Sequence, residues 1–288
     1  MTAPSLAQAV TAVRTSLSPH LDDAAGGGRL GVAFSGGVDS TLLVALAQQA
    51  LGPQRVVAVL AVSASLAARE RREARRVAAH LAVPLVEVVT RELDDPAYRA
   101  NAADRCYFCK HELFQRIDDD LAAAHGLVAV AYGENADDVR RPDRPGARAA
   151  TDHGVLRPLA DAGLTKDDVR RLARELGLPT ADKPAAPCLA SRIPHHTPVT
   201  AQALQQVERA EQALHDLGLT ELRVRHHDDL GRVELGAAAL SAVRADESLH
   251  DAVVAAVVGA GYARAEVDGR GLRSGAFTML ELTARPSA

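Results

Sequence analysis

A chain of 288 residues can form one large domain or two modest ones with separate cores, and two is the expectation. Its 47% apolar content comes mainly from Ala, Val and Leu, with four Phe, four Tyr and no Trp, and its formal charge is −4. That balance lacks the basic, aromatic-rich surface of a nucleic-acid binder and favours a small-molecule partner.

The longest unbroken apolar run, 56–62, falls well short of the ~20 residues of a membrane helix. The first residues do not read as a signal peptide, so no membrane partner and a cytosolic (cytoplasmic) location are expected. In a reducing compartment three cysteines point to metal binding or reactivity rather than disulfides.

In chain order, an amphipathic helix is expected over 5–21 and a strand over 29–34 that stops at Ser-Gly-Gly. A helix around 42–50, a Val-rich strand over 56–62, a charged helix over 69–81 and a strand over 84–89 follow. A helix over 110–124 leads to a strand over 127–132. Such alternation implies an α/β fold, a parallel sheet with helices on both faces and ligands at the carboxyl ends of its strands. Residues 133–154, rich in Asp, Arg, Pro and Gly, read as a long functional loop. The next helix, 165–176, opens on Thr165 and Asp168, the spacing of a capping box. Five prolines within 179–198 place a domain junction near Ile193, giving domains 1–193 and 194–288. The second reads as a smaller α+β module: helix 201–217, strands 221–226 and 232–235, helices within 237–260 and a strand near 262–267.

Ser35-Gly36-Gly37-Val38-Asp39-Ser40 lies between a strand and a helix, where backbone N–H groups and the helix's positive end hold a phosphate. The lysine of the kinase and GTPase phosphate loop is missing. The hexapeptide instead resembles the signature of the PP-loop family (adenine nucleotide alpha hydrolase-like), whose members cleave ATP between the α and β phosphates. That resemblance implies a pyrophosphate site made by Ser35, Gly36, Gly37 and Ser40, with Asp39 orienting the phosphates or Mg2+.

Cys106 and Cys109 form Cys-x-x-Cys at an expected loop-to-helix edge, and Cys188 lies far along the chain. Four readings stand side by side. A zinc site would need His111, His195 or His196 as fourth ligand; a redox pair would use the first two thiols; the cysteines could be buried and idle. In the fourth, three thiolates hold a [4Fe-4S] cluster and leave one iron open to sulfide.

Several stretches together resemble the LarE sulfur insertases: the hexapeptide, Arg105-Cys-Tyr-Phe-Cys-Lys110, Ala136-Asp-Asp138 with Arg144-Pro-Gly146, and Lys183-Pro-Ala-Ala-Pro-Cys-Leu-Ala-Ser-Arg-Ile-Pro194. The resemblance implies adenylation of a carboxylate of a pyridinium dicarboxylate mononucleotide and its conversion to a thiocarboxylate for a nickel-pincer cofactor. ATP, magnesium and a three-cysteine [4Fe-4S] cluster are the implied cofactors, with Cys188, Cys106, Cys109 and Lys110 in the chemistry. Arg223 and Arg225, two apart on a strand, share one face. The resemblance makes them the substrate-phosphate site, with Ser191 and Arg192 assisting. Asp137 and Asp138 are further candidates for metal or ribose. The resemblance implies a homo-oligomer, with a hexamer as the suggested assembly; the sulfide donor is left open. The chain departs from the pattern at Glu134, where a small or hydroxyl residue is usual, and at Ala181-Asp182, where a tryptophan is expected. The alternative reading is a tRNA 2-thiolation enzyme, against which stand the acidic charge and scarce aromatics. An ammonia-using ligase leaves three cysteines unexplained, and a nucleotide sensor would bind ATP without releasing pyrophosphate.

Overall fold

The computed structural model describes residues 3–21, 27–117, 119–140 and 145–272; Arg144, quoted above, lies outside them. In chain order the first elements are α1 (Leu6–Leu21), β1 (Arg29–Ala33), α2 (Val38–Leu51), β2 (Val56–Val62), α3 (Ala68–His80) and β3 (Leu85–Val89). There follow α4 (Pro96–Arg99), α5 (Arg105–Arg116), α6 (Asp119–His125), β4 (Leu127–Tyr132), α7 (Ala136–Val139), α8 (Pro145–Asp152), α9 (Pro158–Asp161) and α10 (Lys166–Glu175). After a 3-10 turn at Leu189–Arg192 come α11 (Ala201–Asp216), β5 (Leu222–His227), β6 (Leu230–Leu235), α12 (Ala237–Ala245), α13 (Glu247–Gly259) and β7 (Arg264–Val267). Two compact units result, one containing residues up to Glu92 together with Cys106–Ala186, the other Leu93–Arg105 together with residues from Pro187 on.

The first unit holds a four-stranded parallel sheet of order β3-β2-β1-β4. Its burial follows the period of two along β2. Val56, Ala58 and Leu60 pack into one core with α1, α2, α3 and α10, whereas Val57 and Val59 join Leu127 and Leu121 on the opposite face. Helices therefore cover both faces, as the α/β alternation implies. Along α1, Ala9, Val13, Leu17 and Leu21 form one buried stripe at four-residue spacing. The capping box of α10 is present: the Thr165 hydroxyl accepts from Asp168 N at 3.2 Å and the Asp168 carboxylate accepts from Thr165 N at 3.2 Å.

Two expectations fail for local reasons. Residues 133–154 contain two helices rather than one long loop. Asn135 caps α7, its Oδ1 accepting from Asp137 N and Asp138 N at 3.0 and 3.1 Å, while α8 buries only Gly146, Ala149 and Ala150. A stripe of such small residues gives little apolar periodicity. The helix expected over 110–124 is two helices, and the first starts at Arg105, so Cys-x-x-Cys opens α5, at a loop-to-helix edge as expected. Asp119 and Asp120 then open α6, where its positive end favours them.

Glu87 on β3 receives paired hydrogen bonds from Arg71 and Arg75 of α3, at 3.1 and 2.7 Å and at 2.7 and 2.6 Å. These bonds hold its carboxyl at about 2, below the ordinary 4.5. A depressed carboxyl stabilises the fold above its unfolded value and ceases to do so as pH falls through its folded one. The α3–β3 tie should therefore weaken between about pH 4.5 and about 2. Acid titration of stability should lose that portion of its pH dependence in Glu87→Gln.

The second unit is a three-stranded sheet of order β5-β6-β7, antiparallel then parallel, covered by α11, α12 and α13 through Leu214, Val224, Val233, Val243 and Val257. Among the described residues no helix is long and apolar enough to cross a membrane.

Candidate active site

The turn from β1 into α2 is shaped by two glycines and braced by two serines. Gly36 has a left-handed backbone (φ 68°), and a Cβ there would meet the Cα of Ala74 at 2.9 Å. The Ser35 hydroxyl accepts from Gly37 N at 3.3 Å, the Ser40 hydroxyl donates to Gly37 O at 3.2 Å, and the two hydroxyls stand 3.3 Å apart. Gly37 caps α2 with no side-chain hydrogen bond. The amino end of this 14-residue helix thus has no side chain capping its first N–H groups, and its one acid there, Asp39, is engaged elsewhere, a setting that suits phosphate. The chain closes tightly behind the turn: a Cβ on Gly133, just past β4, would lie 2.8 Å from both Asp39 C and Ser40 N.

Asp39 in the first turn of α2 is held from two directions. Its Oδ1 accepts from Asn135 Nδ2 at 3.0 Å and its Oδ2 pairs with Lys166 Nζ at 2.5 Å. Asn135 Nδ2 also donates to Asp138 Oδ2 at 2.9 Å, and Lys166 N donates to Asp137 Oδ2 at 2.8 Å. Asp39, Asp137 and Asp138 therefore belong to one polar network. Lys183 completes the surroundings, its ammonium donating to Gly36 O at 3.2 Å and to Glu70 Oε2 at 2.7 Å.

Lys166 and Lys183 were not among the expected site residues. Lys183 stands inside the last of the quoted stretches, but no periodicity or spacing ties either lysine to a loop more than a hundred residues earlier. Together they bring to this turn the positive charge that its own sequence lacks.

Lys110 lies on α5 with its ammonium 4.1 Å from the centre of the Tyr132 ring at the carboxyl end of β4. Gly146 of α8 leaves room for it, since a Cβ there would lie 3.0 Å from Lys110 Cδ. Cys106 and Cys109 occupy successive turns of α5 in the first unit, and Cys188 precedes the 3-10 turn in the second. All three are thiols, two exposed and Cys109 half-buried. His111, a candidate fourth zinc ligand, places Nδ1 2.8 Å from His153 Nε2, while His195 Nδ1 lies 3.3 Å from Asn101 O. Among the described residues no three of His, Cys, Asp and Glu are grouped so as to hold a metal ion.

The second unit gathers the other expected residues. Arg225 is 3% exposed and donates to Glu234 Oε2 from Nε and Nη2 at 3.0 and 2.8 Å, and to Ser191 O at 2.9 Å. Arg192 forks onto Glu211 at 2.8 and 3.1 Å and reaches Pro187 O at 2.6 Å, Cys188 O at 3.2 Å and Ser191 Oγ at 3.0 Å. Arg223 is buried beside them, and burial, then Arg192 and Arg225, pushes its guanidinium down from the ordinary value. Three arginines and the carboxylates of Glu211 and Glu234 thus share one buried setting. Such a cluster suits an added anion.

Comparison with known proteins gives the chain's family. The asparagine synthase family matches residues 22–232. An uncharacterized protein of Synechocystis is 45% identical over 204 residues, 71% of this chain and 75% of its own length. The pyridinium-3,5-bisthiocarboxylic acid mononucleotide synthase of Lactiplantibacillus plantarum is 37% identical over 207 residues, 72% of this chain and 74% of its own. The chain belongs to the LarE family of PP-loop proteins. An uncharacterized protein of Methanocaldococcus jannaschii is 29% identical over a shorter stretch of 135 residues, 47% of this chain and 52% of its own. Like the LarE family it belongs to, this chain is an ATP-dependent sulfurtransferase that forms AMP and pyrophosphate.

Proposed function

We propose that this enzyme adenylates a carboxylate of pyridinium-3,5-biscarboxylic acid mononucleotide and converts it to a thiocarboxylate for a nickel-pincer nucleotide cofactor. The observation that carries the reading is the uncapped, lysine-flanked PP-loop in a chain 37% identical to a synthase of the corresponding bisthiocarboxylic acid mononucleotide. A carboxylate is a poor electrophile because oxide would have to leave. Attack of its oxygen on the α-phosphorus of ATP expels pyrophosphate and gives an acyl-adenylate. A sulfur nucleophile then adds to the carbonyl carbon, the carbon–oxygen bond to AMP breaks, and the thiocarboxylate remains.

Ser35, Gly36, Gly37 and Ser40 would hold the pyrophosphate, and Lys183 and Lys166 would offset its charge. Asp39 would orient Mg2+, whose hard-oxygen preference fits this carboxylate with Asp137 and Asp138 nearby; such sites take most of their ligands from phosphate and water. Lys110 would polarise the reacting carbonyl, and Arg223, Arg225, Ser191 and Arg192 would hold the substrate phosphate. The second unit would bind substrate and mediate self-association, up to a hexamer, in the cytosol.

Cys106, Cys109 and Cys188 would be the cluster ligands, thiolates being the soft donors that an iron–sulfur centre takes. A [4Fe-4S] cluster held by them would supply a fourth iron able to carry sulfide.

The test is an anaerobic assay with ATP, magnesium, sulfide and the mononucleotide, following product and intact protein by mass spectrometry. Thiocarboxylate over many turnovers with Cys188 unchanged is expected, with loss of turnover but retained ATP binding when any one cysteine becomes Ala. Product matched by loss of sulfur from Cys188 would replace the cluster with a sacrificial donor. No product, with thiolation of added tRNA instead, would overturn the substrate.

A further inference from the structure

Asn101 is completely buried and has a left-handed backbone (φ 56°), a conformation that asparagine tolerates better than most side chains. Its Nδ2 donates to Pro194 O at 2.8 Å and Thr197 O at 2.9 Å, with Ile193 O at 3.4 Å. Its own carbonyl accepts from His196 N at 3.1 Å, and its Oδ1 accepts from Arg105 Nη1. The same Arg105 nitrogen donates to Ala190 O at 2.9 Å. Val199 N donates to Arg99 O at 2.9 Å, so the two strands of chain are joined at three levels within the second unit.

Arg105 is buried, yet both oxygens it holds are uncharged. Among the described residues no carboxylate pairs with this guanidinium to offset its desolvation, so an ion-pair role does not explain it. What it provides is placement. Ala190 is two residues from Cys188 and one from Ser191, and the next residue after Arg105 is Cys106.

We propose that Asn101 and Arg105 are positioning residues for the sulfur-transfer step. They staple the segment carrying Cys188, Ser191 and Arg192 to the segment that leads into Cys106. The proposal rests on the sulfur-transfer function given above. Near-attack geometry is sensitive to displacements of about 1 Å, so releasing this segment slows sulfur transfer and weakens mononucleotide binding through Ser191 and Arg192, while adenylation of bound mononucleotide at the PP-loop is spared.

Three variants separate this role from general stability. Asn101→Gly keeps the left-handed backbone accessible while removing the amide, Arg105→Ala removes the guanidinium, and Arg105→Lys restores charge and one donor. Hydrogen exchange of the amides in 189–197 of the full chain should accelerate at least tenfold in the first two, with the exchange of β1 and β2 unchanged. Thiocarboxylate formation should fall at least tenfold while exchange of pyrophosphate into ATP at saturating mononucleotide stays within twofold, and Arg105→Lys should lie between. Parallel loss of both activities, or thiocarboxylate formation within twofold of wild type, overturns the proposal. If wild type makes no thiocarboxylate, the function assigned above falls, and unchanged protection of 189–197 in Asn101→Gly and Arg105→Ala separately overturns the staple.

Discussion

Gly133→Ala is expected to lower substrate-dependent pyrophosphate release by about 100-fold or more while the protein still folds. The added methyl would sit 2.8 Å from Asp39 C and Ser40 N and 3.1 Å from Asp39 Cβ. Two of these atoms are backbone of the first turn of α2, and Gly133 itself follows directly on β4, so no flexible side chain can yield. Overpacking of this kind costs about 1–3 kcal/mol, and relief comes by displacing the turn at residues 35–40, proposed above to hold the pyrophosphate. Gly154→Ala is the control. It also imposes strain, at φ 62°, but meets nothing within 4 Å. Its melting temperature should fall with no matching loss of pyrophosphate release. Steady-state kinetics and melting curves on the two variants check this; normal kinetics in Gly133→Ala would mean that the loop tolerates displacement.

Glu234→Ala is expected to destabilise the second unit by about 3–5 kcal/mol, the usual effect of removing one partner of a buried ion pair. Glu234 is 2% exposed, and its Oε2 is 3.0 and 2.8 Å from two nitrogens of Arg225. Without it, Arg225 loses the carboxylate that its Nε and Nη2 share, and repulsion among Arg192, Arg223 and Arg225 is less well balanced. Inorganic phosphate should recover part of the loss, because the anion would take the position of the missing charge. The double substitution Arg225→Met with Glu234→Leu should restore most of the stability yet abolish the phosphate effect. Equilibrium urea unfolding with and without phosphate measures both. A stable Glu234→Ala protein indifferent to phosphate would show that the arginines do not act as an anion site.

The scaffold is legible in the sequence where burial has a strong period. Val56–Val62 and Leu127–Tyr132 are strands with the expected limits because β-branched and apolar runs flanked by turns leave few alternatives. The capping box of α10 is equally local. Where the buried stripe is Gly146, Ala149 and Ala150, the apolar signal disappears and α8 reads as loop. The same division holds in the site. Ser35 to Ser40 is a contiguous motif with a local mechanism. Lys166, Lys183, Asn101 and Arg105 act on partners between 85 and 147 residues away, through bonds to Asp39, Gly36, Pro194 and Ala190. A lone lysine, asparagine or arginine in sequence gives no sign of such a partner.

The most direct test of the account is exchange of labelled pyrophosphate into ATP by the full chain, with and without pyridinium-3,5-biscarboxylic acid mononucleotide. Reversible adenylation predicts exchange that requires the mononucleotide and magnesium, with AMP as the nucleotide product. Formation of ADP and inorganic phosphate, or exchange that ignores the mononucleotide, would contradict it.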